Sequence, residues 1–131
     1  MDNKRINYAS GAQWEAVVGY SRAVKVGNVI EVSGTVAVNE HNELIGEGDA
    51  YLQTKFILQK IESVLLQAGA TMKDVVRTRM LVTDITRWQE YGRAHGEAFA
   101  DIRPCTSMVE VRRLIAPEYL IEIEATAVLT Q

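Results

Sequence analysis

The segment Ile121-Glu122-Ile123-Glu124-Ala125-Thr126-Ala127 alternates between apolar and polar side chains, and this alternation decides the fold class. Successive side chains of a β-strand point to opposite faces, so the pattern predicts a strand with one apolar and one polar face. The flanking residues extend the predicted strand over 119–129. The rest of the chain is therefore expected to build a sheet around it.

Two short strands are predicted earlier in the chain. Residues 23–26 and 29–33 are rich in valine and isoleucine, and Gly27-Asn28 between them has the composition of a two-residue hairpin turn. Residues 36–38 predict a further strand beyond Gly34.

The middle of the chain predicts a helix followed by a strand. Asp49 is a natural N-cap and Gly69 a natural C-terminal stop. Between them the apolar residues recur at three- and four-residue spacing: Leu52, Phe56, Ile57, Ile61, Val64, Leu65 and Ala68. Residues 75–83 then predict a strand with Val76, Thr78, Met80 and Val82 on one face and Val75, Arg77, Arg79 and Leu81 on the other.

A second helix is predicted before the last two strands. Thr86 and Gln89 have the spacing of a capping box, and Pro104 ends the helix by about residue 101. Its apolar stripe is Trp88, Tyr91, His95, Ala98 and Phe99. Residues 106–113 predict a strand. The order ββ(β)-α-β-α-ββ indicates one α+β domain over residues 1–131, a mixed sheet with two helices on one face.

The uncovered face of this sheet mixes apolar with charged side chains. Alternation assigns to it Leu81, Met108, Leu120 and Val128 together with Arg77, Arg79, Glu110, Arg112, Glu122 and Glu124. This mixture is consistent with a solvated antiparallel sheet, and equally with a subunit interface that contains ion pairs.

Composition narrows the classes of protein further. Of the 131 residues, 47% are apolar and 24% charged, which is ordinary for a globular domain. The net charge of −3 and the scattered basic residues give no basic stripe for nucleic acid. No segment has the roughly 20 apolar residues of a membrane span, and no secretory signal follows Met1. One cysteine and two histidines are too few for a zinc site. We expect a cytoplasmic protein without metal or cofactor.

Seven short strings stand in a fixed order along the chain. They are VIEVSG at 29–34, QAGA at 67–70, VVRT at 75–78, VTD at 82–84, RP at 103–104, VEV at 109–111 and IEIEATA at 121–127. This ordered set resembles the YjgF/RidA family, the reactive intermediate deaminases formerly called L-PSP endoribonucleases. The resemblance covers roughly residue 18 to the C-terminus without a large insertion.

The resemblance implies a chorismate-mutase-like fold and a homotrimer with a central barrel and small-molecule clefts between subunits. Such an assembly would bury the second face of the sheet. Deaminases of this family hydrolyse enamines or imines to a 2-oxo acid and ammonia. In them an arginine after the Pro-Ala of the penultimate strand binds the substrate carboxylate, and a glutamate positions the attacking water.

Carried over residue by residue, the resemblance implies a ligand site at Tyr20, Ser33, Gly34, Thr106, Met108 and Glu122. Glu122 falls on the water-positioning glutamate, but Thr106 stands where the deaminases have the arginine. Met108 stands where they often have a cysteine. A neutral hydroxyl contributes a hydrogen bond of ~1 kcal/mol, against ~1.5–3 kcal/mol for a charge-assisted one. Substrates with a free carboxylate are therefore not implied, unless His95 or Arg93 supplies the cation.

Each of these residues also has a structural interpretation. Glu122 could be an ion-paired strand residue beside Arg79, and Tyr20 could form a subunit contact. His95 lies on the apolar stripe of the second helix, as a buried core histidine would.

Three functions are consistent with the sequence. The first is hydrolysis of a small metabolite with a C=N bond, and the second is a non-catalytic trimer that binds a metabolite or a partner. The third is ribonuclease activity, which the acidic balance and the lack of paired histidines disfavour.

Overall fold

The computed structural model describes residues 4–130, which form one six-stranded mixed sheet with two α-helices. The strands are β1 (Arg5–Tyr8), β2 (Ala23–Val26), β3 (Val29–Thr35), β4 (Val75–Val82), β5 (Cys105–Glu110) and β6 (Ile121–Val128). The helices are α1 (Ala50–Gln67) and α2 (Trp88–Phe99). The strand order is β1-β2-β3-β6-β4-β5, and the β4–β5 pair is parallel whereas the others are antiparallel. The predicted α+β class is confirmed.

The core lies between the two helices and one face of the sheet. β6 occupies a central position, and its alternate residues Ile121, Ile123, Ala125 and Ala127 are buried as the alternating pattern predicts. Ile57, Ile61 and Leu65 of α1 and Tyr91 and Phe99 of α2 close the core from above. Burial of each large apolar side chain contributes about 1.5–3 kcal/mol to folding, so this face fixes the position of β6.

Helix α1 agrees with the sequence prediction at both ends. The Asp49 carboxylate accepts a hydrogen bond from the Leu52 backbone N–H at 2.9 Å, as an N-cap does. Gly69, just beyond the helix, has a φ of 84°, a left-handed conformation that glycine adopts without strain.

Helix α2 begins differently from the prediction. The capping box of Thr86 and Gln89 is wrong, because Asp84 is the residue that caps the turn. Its carboxylate accepts from the Thr86 backbone N–H at 3.0 Å and from the Thr86 hydroxyl at 2.5 Å. A single 3₁₀ turn, Ile85–Arg87, then leads into the α-helix. An aspartate competes well for the N-cap because its charge favours the helix N-terminus.

Two strand predictions near the N-terminal half also change. β1 was not predicted; it is an exposed edge strand, so it lacks the apolar alternation that marks a half-buried one. The strand predicted over residues 36–38 is wrong, because Val38 forms an isolated bridge with Leu44. β3 instead runs on to Thr35, with a register shift between Val32 and Thr35.

The side-chain directions of β4 and β5 differ from the predicted ones. A register shift between Val75 and Arg77 turns Val75 into the core and exposes Val76. In β5, Met108 pairs with Met80 and packs against the core, so it lies on the helix side. Thr106 and Glu110 share that side. The prediction placed Met108 and Glu110 on the opposite face because both faces of this edge strand are largely exposed and alternation alone gives no direction.

The helices show no membrane-spanning candidate. Within residues 4–130, none is both long enough and apolar enough to cross a lipid bilayer.

Candidate functional site

Four of the predicted ligand residues lie together where β2, β3 and β6 meet. A π-helical turn, Glu15–Gly19, delivers Tyr20 to the start of β2, where its side chain is partly exposed. The Ser33 hydroxyl donates to the Ser21 carbonyl at 2.6 Å, which fixes the end of β3 against this segment. Gly34 follows, within the register shift of β3. Bulges of this kind often reorient side chains beside functional sites.

Glu122 packs directly on Gly34. A Cβ placed on Gly34 would lie 2.8 Å from the Glu122 carboxyl carbon and closer still to its Oε2. The φ of Gly34 is not in the left-handed region, so the glycine is needed here for space rather than for backbone conformation. The missing side chain is what allows the carboxyl group to lie against the backbone of β3.

The environment of Glu122 favours its neutral form. Burial raises the pKa of the Glu122 carboxyl, the Glu124 carboxylate raises it further, and the Arg22 guanidinium opposes both. A raised pKa brings a carboxyl group closer to the range in which it can both accept and return a proton, as general acid–base catalysis requires. The predicted ion pair with Arg79 is formed by Glu124 instead, at 3.5 Å.

Arg22 is a part of this cluster that the sequence reasoning missed. Its Nη2 donates to the Gly34 carbonyl at 2.6 Å, and its guanidinium carbon lies 5.9 Å from the centre of the Tyr20 ring. Its Nε is buried and has no hydrogen-bond partner among residues 4–130. The sequence feature that could have indicated Arg22 is its position two residues after the predicted ligand residue Tyr20.

Lys60 of α1 is a second basic residue near this cluster. Its ammonium donates to the carbonyls of Val36 at 2.9 Å and Val38 at 2.7 Å. Burial, together with repulsion from Arg22, lowers the pKa of Lys60 from 10.5 to about 8. The sequence alone did not indicate that Lys60 would be half-buried and bonded to backbone carbonyls, because those carbonyls belong to a distant segment of the chain.

A cavity of about 490 Å³ opens beside Tyr20 and Ser33. Glu15, Arg5 and Asn7 also line it. The Glu15 carboxylate is buried and accepts hydrogen bonds from the Ser10 backbone at 3.2 Å and the Ser10 hydroxyl at 2.5 Å. The cavity is large enough for a small metabolite.

Thr106 and Met108 lie elsewhere, on the edge strand β5. Thr106 is two strands away from β6, opposite Thr78, which in turn pairs with Ala125. Strand spacing and rise place Thr106 about 10 Å across the sheet and about 10 Å along it from Glu122. The two residues also point to opposite faces. One small ligand could not contact both within a single chain.

Arg93 and His95 were considered as substitutes for the arginine. Neither places a free positive charge beside Glu122 or Thr106. Arg93 stacks on the Tyr51 ring, with its guanidinium carbon 3.9 Å from the ring centre, on the outer side of the helices. His95 is buried, bonds to the Thr78 hydroxyl at 2.8 Å and contacts the Phe99 ring. Burial lowers the pKa of His95, which disfavours the charged form that a carboxylate would need.

Among residues 4–130, no group of three or more His, Cys, Asp or Glu side chains is placed to hold an ion.

Comparison with known proteins gives a consistent picture. The sequence profile of the family described as Endoribonuclease L-PSP matches residues 10–129. A RutC family protein of Pyrococcus abyssi is 36% identical over 108 residues, 82% of this chain and 84% of that protein. The 3-aminoacrylate deaminase RutC of Acinetobacter baylyi is 33% identical over 108 residues, 82% of this chain and 85% of the deaminase.

A solved structure extends the similarity to the fold. The crystal structure of a YjgF/YER057c/UK114 family member from Mycobacterium tuberculosis matches with a TM-score of 0.88 and 50% identity, covering 96% of this chain and 100% of that one.

Proposed function

The chain belongs to the Endoribonuclease L-PSP family, also called YjgF/RidA, and from that premise we propose that it hydrolyses small enamines or imines in clefts between three identical subunits. The observation that carries this proposal is the half-buried Glu122 carboxyl, which packs against Gly34, has a raised pKa and lies near Arg22. One relative of this chain is named a 3-aminoacrylate deaminase.

The proposed reaction needs one group that can take and return a proton. The ionised Glu122 removes a proton from water as the oxygen attacks the imine carbon, and the C=N bond becomes a C–N single bond. The protonated Glu122 then returns a proton to the nitrogen. This gives a neutral carbinolamine. Glu122 then takes the proton of the new hydroxyl and passes it to the nitrogen, and the C–N bond breaks as the C=O bond forms, so the products are a carbonyl compound and ammonia.

The positions of the ligand residues support an assembly in which neighbouring copies share one site. The Glu122 group and the Thr106 group lie at different edges and on opposite faces of one sheet. If both contact one ligand, the second group must come from a neighbouring copy. Contacts between unlike surfaces close into a ring when the rotation is threefold. Light scattering should then give three times the chain mass of 14.6 kDa.

The substrate class follows from the charges. The family resemblance assigns Thr106 to the position of the deaminase arginine, and Arg22 already donates to the Gly34 carbonyl. An anionic ligand would also meet the Glu122 carboxylate. We therefore propose imines without a free carboxylate as substrates, and the cytoplasm as the location.

A matched pair of imines tests the proposal. A flavin amine oxidase acting on 2-phenylethylamine and an amino acid oxidase acting on phenylalanine release imines that differ in the carboxylate. We expect this protein to accelerate ammonia release from the first, and Glu122→Gln to abolish the acceleration. Glu62→Gln, at an exposed position of α1, is the control that keeps it. No acceleration over buffer with either imine would overturn the proposal.

A non-catalytic trimer is the second candidate, favoured by the neutral Thr106 in place of the arginine. It is supported if a small carbonyl compound binds in the cleft while Glu122→Gln leaves every rate unchanged. The same preparation should leave single-stranded RNA intact, because the net charge is −3 and the basic residues are scattered along the sequence rather than grouped in a stripe.

A further inference from the structure

Three side chains form a hydrogen-bonded line from the interior to the exposed edge of the sheet. His95 of α2 contacts the Thr78 hydroxyl of β4, with 2.8 Å between Nε2 and Oγ1. Thr78 contacts Thr106 of β5, with 2.7 Å between the two hydroxyl oxygens. Thr78 is fully buried and His95 nearly so, whereas Thr106 is exposed. We refer to these three residues as the hydroxyl relay.

The direction of the relay is fixed once the Thr78 hydroxyl donates to Thr106. The Thr78 hydroxyl has one proton, and it donates that proton to the Thr106 oxygen. Thr78 must then accept from His95, so His95 carries its proton on Nε2. The charged form of His95 would donate from the same nitrogen, so the direction does not depend on its protonation state.

The relay determines what Thr106 can offer to a ligand. Its oxygen already accepts from Thr78, so its own proton is directed to another acceptor. Because strand β5 is exposed at this edge, the acceptor is not supplied by the neighbouring strand of the same chain.

We propose that His95, acting through Thr78, holds Thr106 as a hydrogen-bond donor that selects a ligand with a neutral oxygen acceptor, such as a carbonyl or amide group. This assignment rests on the proposed function, because it takes Thr106 to face the ligand. Thr106 is then a specificity-determining residue, and His95 and Thr78 are positioning residues. His95, acting through Thr78, thus supports the threonine that the resemblance assigns to the arginine position.

The first test reads the proton on His95 and requires no activity. Histidine labelled with ¹⁵N reports which ring nitrogen carries the proton, and the exposed His41 serves as an internal reference. We expect His95 to be protonated on Nε2. Protonation on Nδ1 alone would reverse the relay and overturn the inference while leaving the proposed function standing.

Variants of Thr106 test the coupling. Thr106→Val keeps the strand-forming shape but removes the acceptor, so the Thr78 proton should turn to His95 and its ring should change to the Nδ1–H form. Thr106→Ser should keep the original form, and Ser107→Ala, on the opposite face, is the matched control. An unchanged His95 signal in the folded Thr106→Val variant would show that the relay has no direction.

The second test measures ligand selection with pyruvamide and pyruvate, which differ in having a neutral amide or a carboxylate. We expect the wild-type trimer to bind pyruvamide at least as tightly as pyruvate. Thr106→Val should weaken pyruvamide binding about threefold to tenfold, as loss of one neutral hydrogen bond does. Tighter binding of pyruvate, equal binding of pyruvamide by the variant, or no binding of either compound would each count against the assignment.

The imine assay on the wild type separates the two proposals. If hydrolysis is absent but the relay and the pyruvamide preference are observed, ligand selection by Thr106 is supported and the proposed hydrolysis is wrong. If hydrolysis is present but His95 carries its proton on Nδ1, the proposed hydrolysis is supported and ligand selection by Thr106 is wrong.

Discussion

The carboxyl of Glu122 and the hydroxyl of Thr106 are both polar groups held at the sheet, yet their surroundings are opposite in character. Glu122 lies among charged neighbours, with Arg22 and Glu124 acting on its pKa. Thr106 ends a line of neutral groups that starts at His95. Under our proposal, the charged end of the cleft would provide proton transfer and the neutral end would provide selection by shape and by one neutral donor.

The largest expected effect comes from removing the proton-transferring group. Glu122→Gln should lower imine hydrolysis about a hundredfold or more. The same change should raise the free energy of unfolding at pH 7, because an ionised carboxylate no longer has to be buried. Since the pKa of Glu122 is raised in the folded state, this stability advantage should vanish as the pH falls through that pKa. Activity assays and urea titrations measure the loss of hydrolysis and the gain in the free energy of unfolding. A Glu122→Gln variant that is less stable than the wild type at pH 7 would contradict the expected cost of burying the charge.

The next effect comes from displacing the same group without removing it. Gly34→Ala should push the Glu122 carboxyl away and lower activity about tenfold to a hundredfold. The carboxyl is the flexible end of its side chain, so the stability should change by only about 1 kcal/mol.

Gly96→Ala is the control for this variant. Gly96 lies on the exposed side of α2, and a Cβ placed on it would have no atom within 4 Å beyond the helix's own backbone and the adjoining residues. Alanine there should stabilise the protein by ~0.5–1 kcal/mol and leave activity unchanged. Equal activities of the two glycine variants would show that the position of the Glu122 carboxyl does not matter.

A smaller effect concerns Lys60 on the charged side of the comparison. Its pKa is about 8 in the folded state against 10.5 for the exposed group, so the unfolded chain binds more protons between these values. Stability should therefore rise with pH over this window. The difference in unfolding free energy between wild type and Lys60→Met, followed from pH 8 to 9.5, should increase. A constant difference would mean that the ammonium is not desolvated.

The smallest effect concerns His95 on the neutral side. Burial lowers its pKa below 6.5, so only the unfolded chain gains a proton as the pH falls just below that value. Wild-type stability should drop there relative to His95→Gln, which keeps a donor to Thr78 but does not titrate. Urea titrations at pH 7 and pH 5.5 measure the change, and equal drops for both proteins would contradict it.

The sequence predicted the parts of the molecule that depend on local pattern. Helix α1 was predicted with its cap at Asp49 and its stop at Gly69, and β6 with its buried alternate residues. The ordered strings predicted the family, whose profile covers residues 10–129. These features are readable because capping and alternation involve residues close together in the chain.

The parts that depend on distant contacts were not predictable. Alternation in β5 gave its two sets of side chains but not which set faces the helices, so Met108 was assigned to the wrong face. The shift between Val75 and Arg77 depends on pairing with β6, which the sequence of β4 alone does not reveal. Arg22 acts on Glu122 across 100 positions of sequence, and only the assembled sheet brings them together.

The contact between Gly34 and the Glu122 carboxyl couples two positions that stand in different strings of the chain. We expect these positions to covary among homologous sequences, because a side chain at the first displaces the carboxyl group at the second. A natural chain that carries alanine or serine at the first and a small residue at the second would have given up proton transfer as a unit. The residue pair found at these two positions in each homologous sequence could therefore distinguish members that hydrolyse a substrate from members that only bind a ligand.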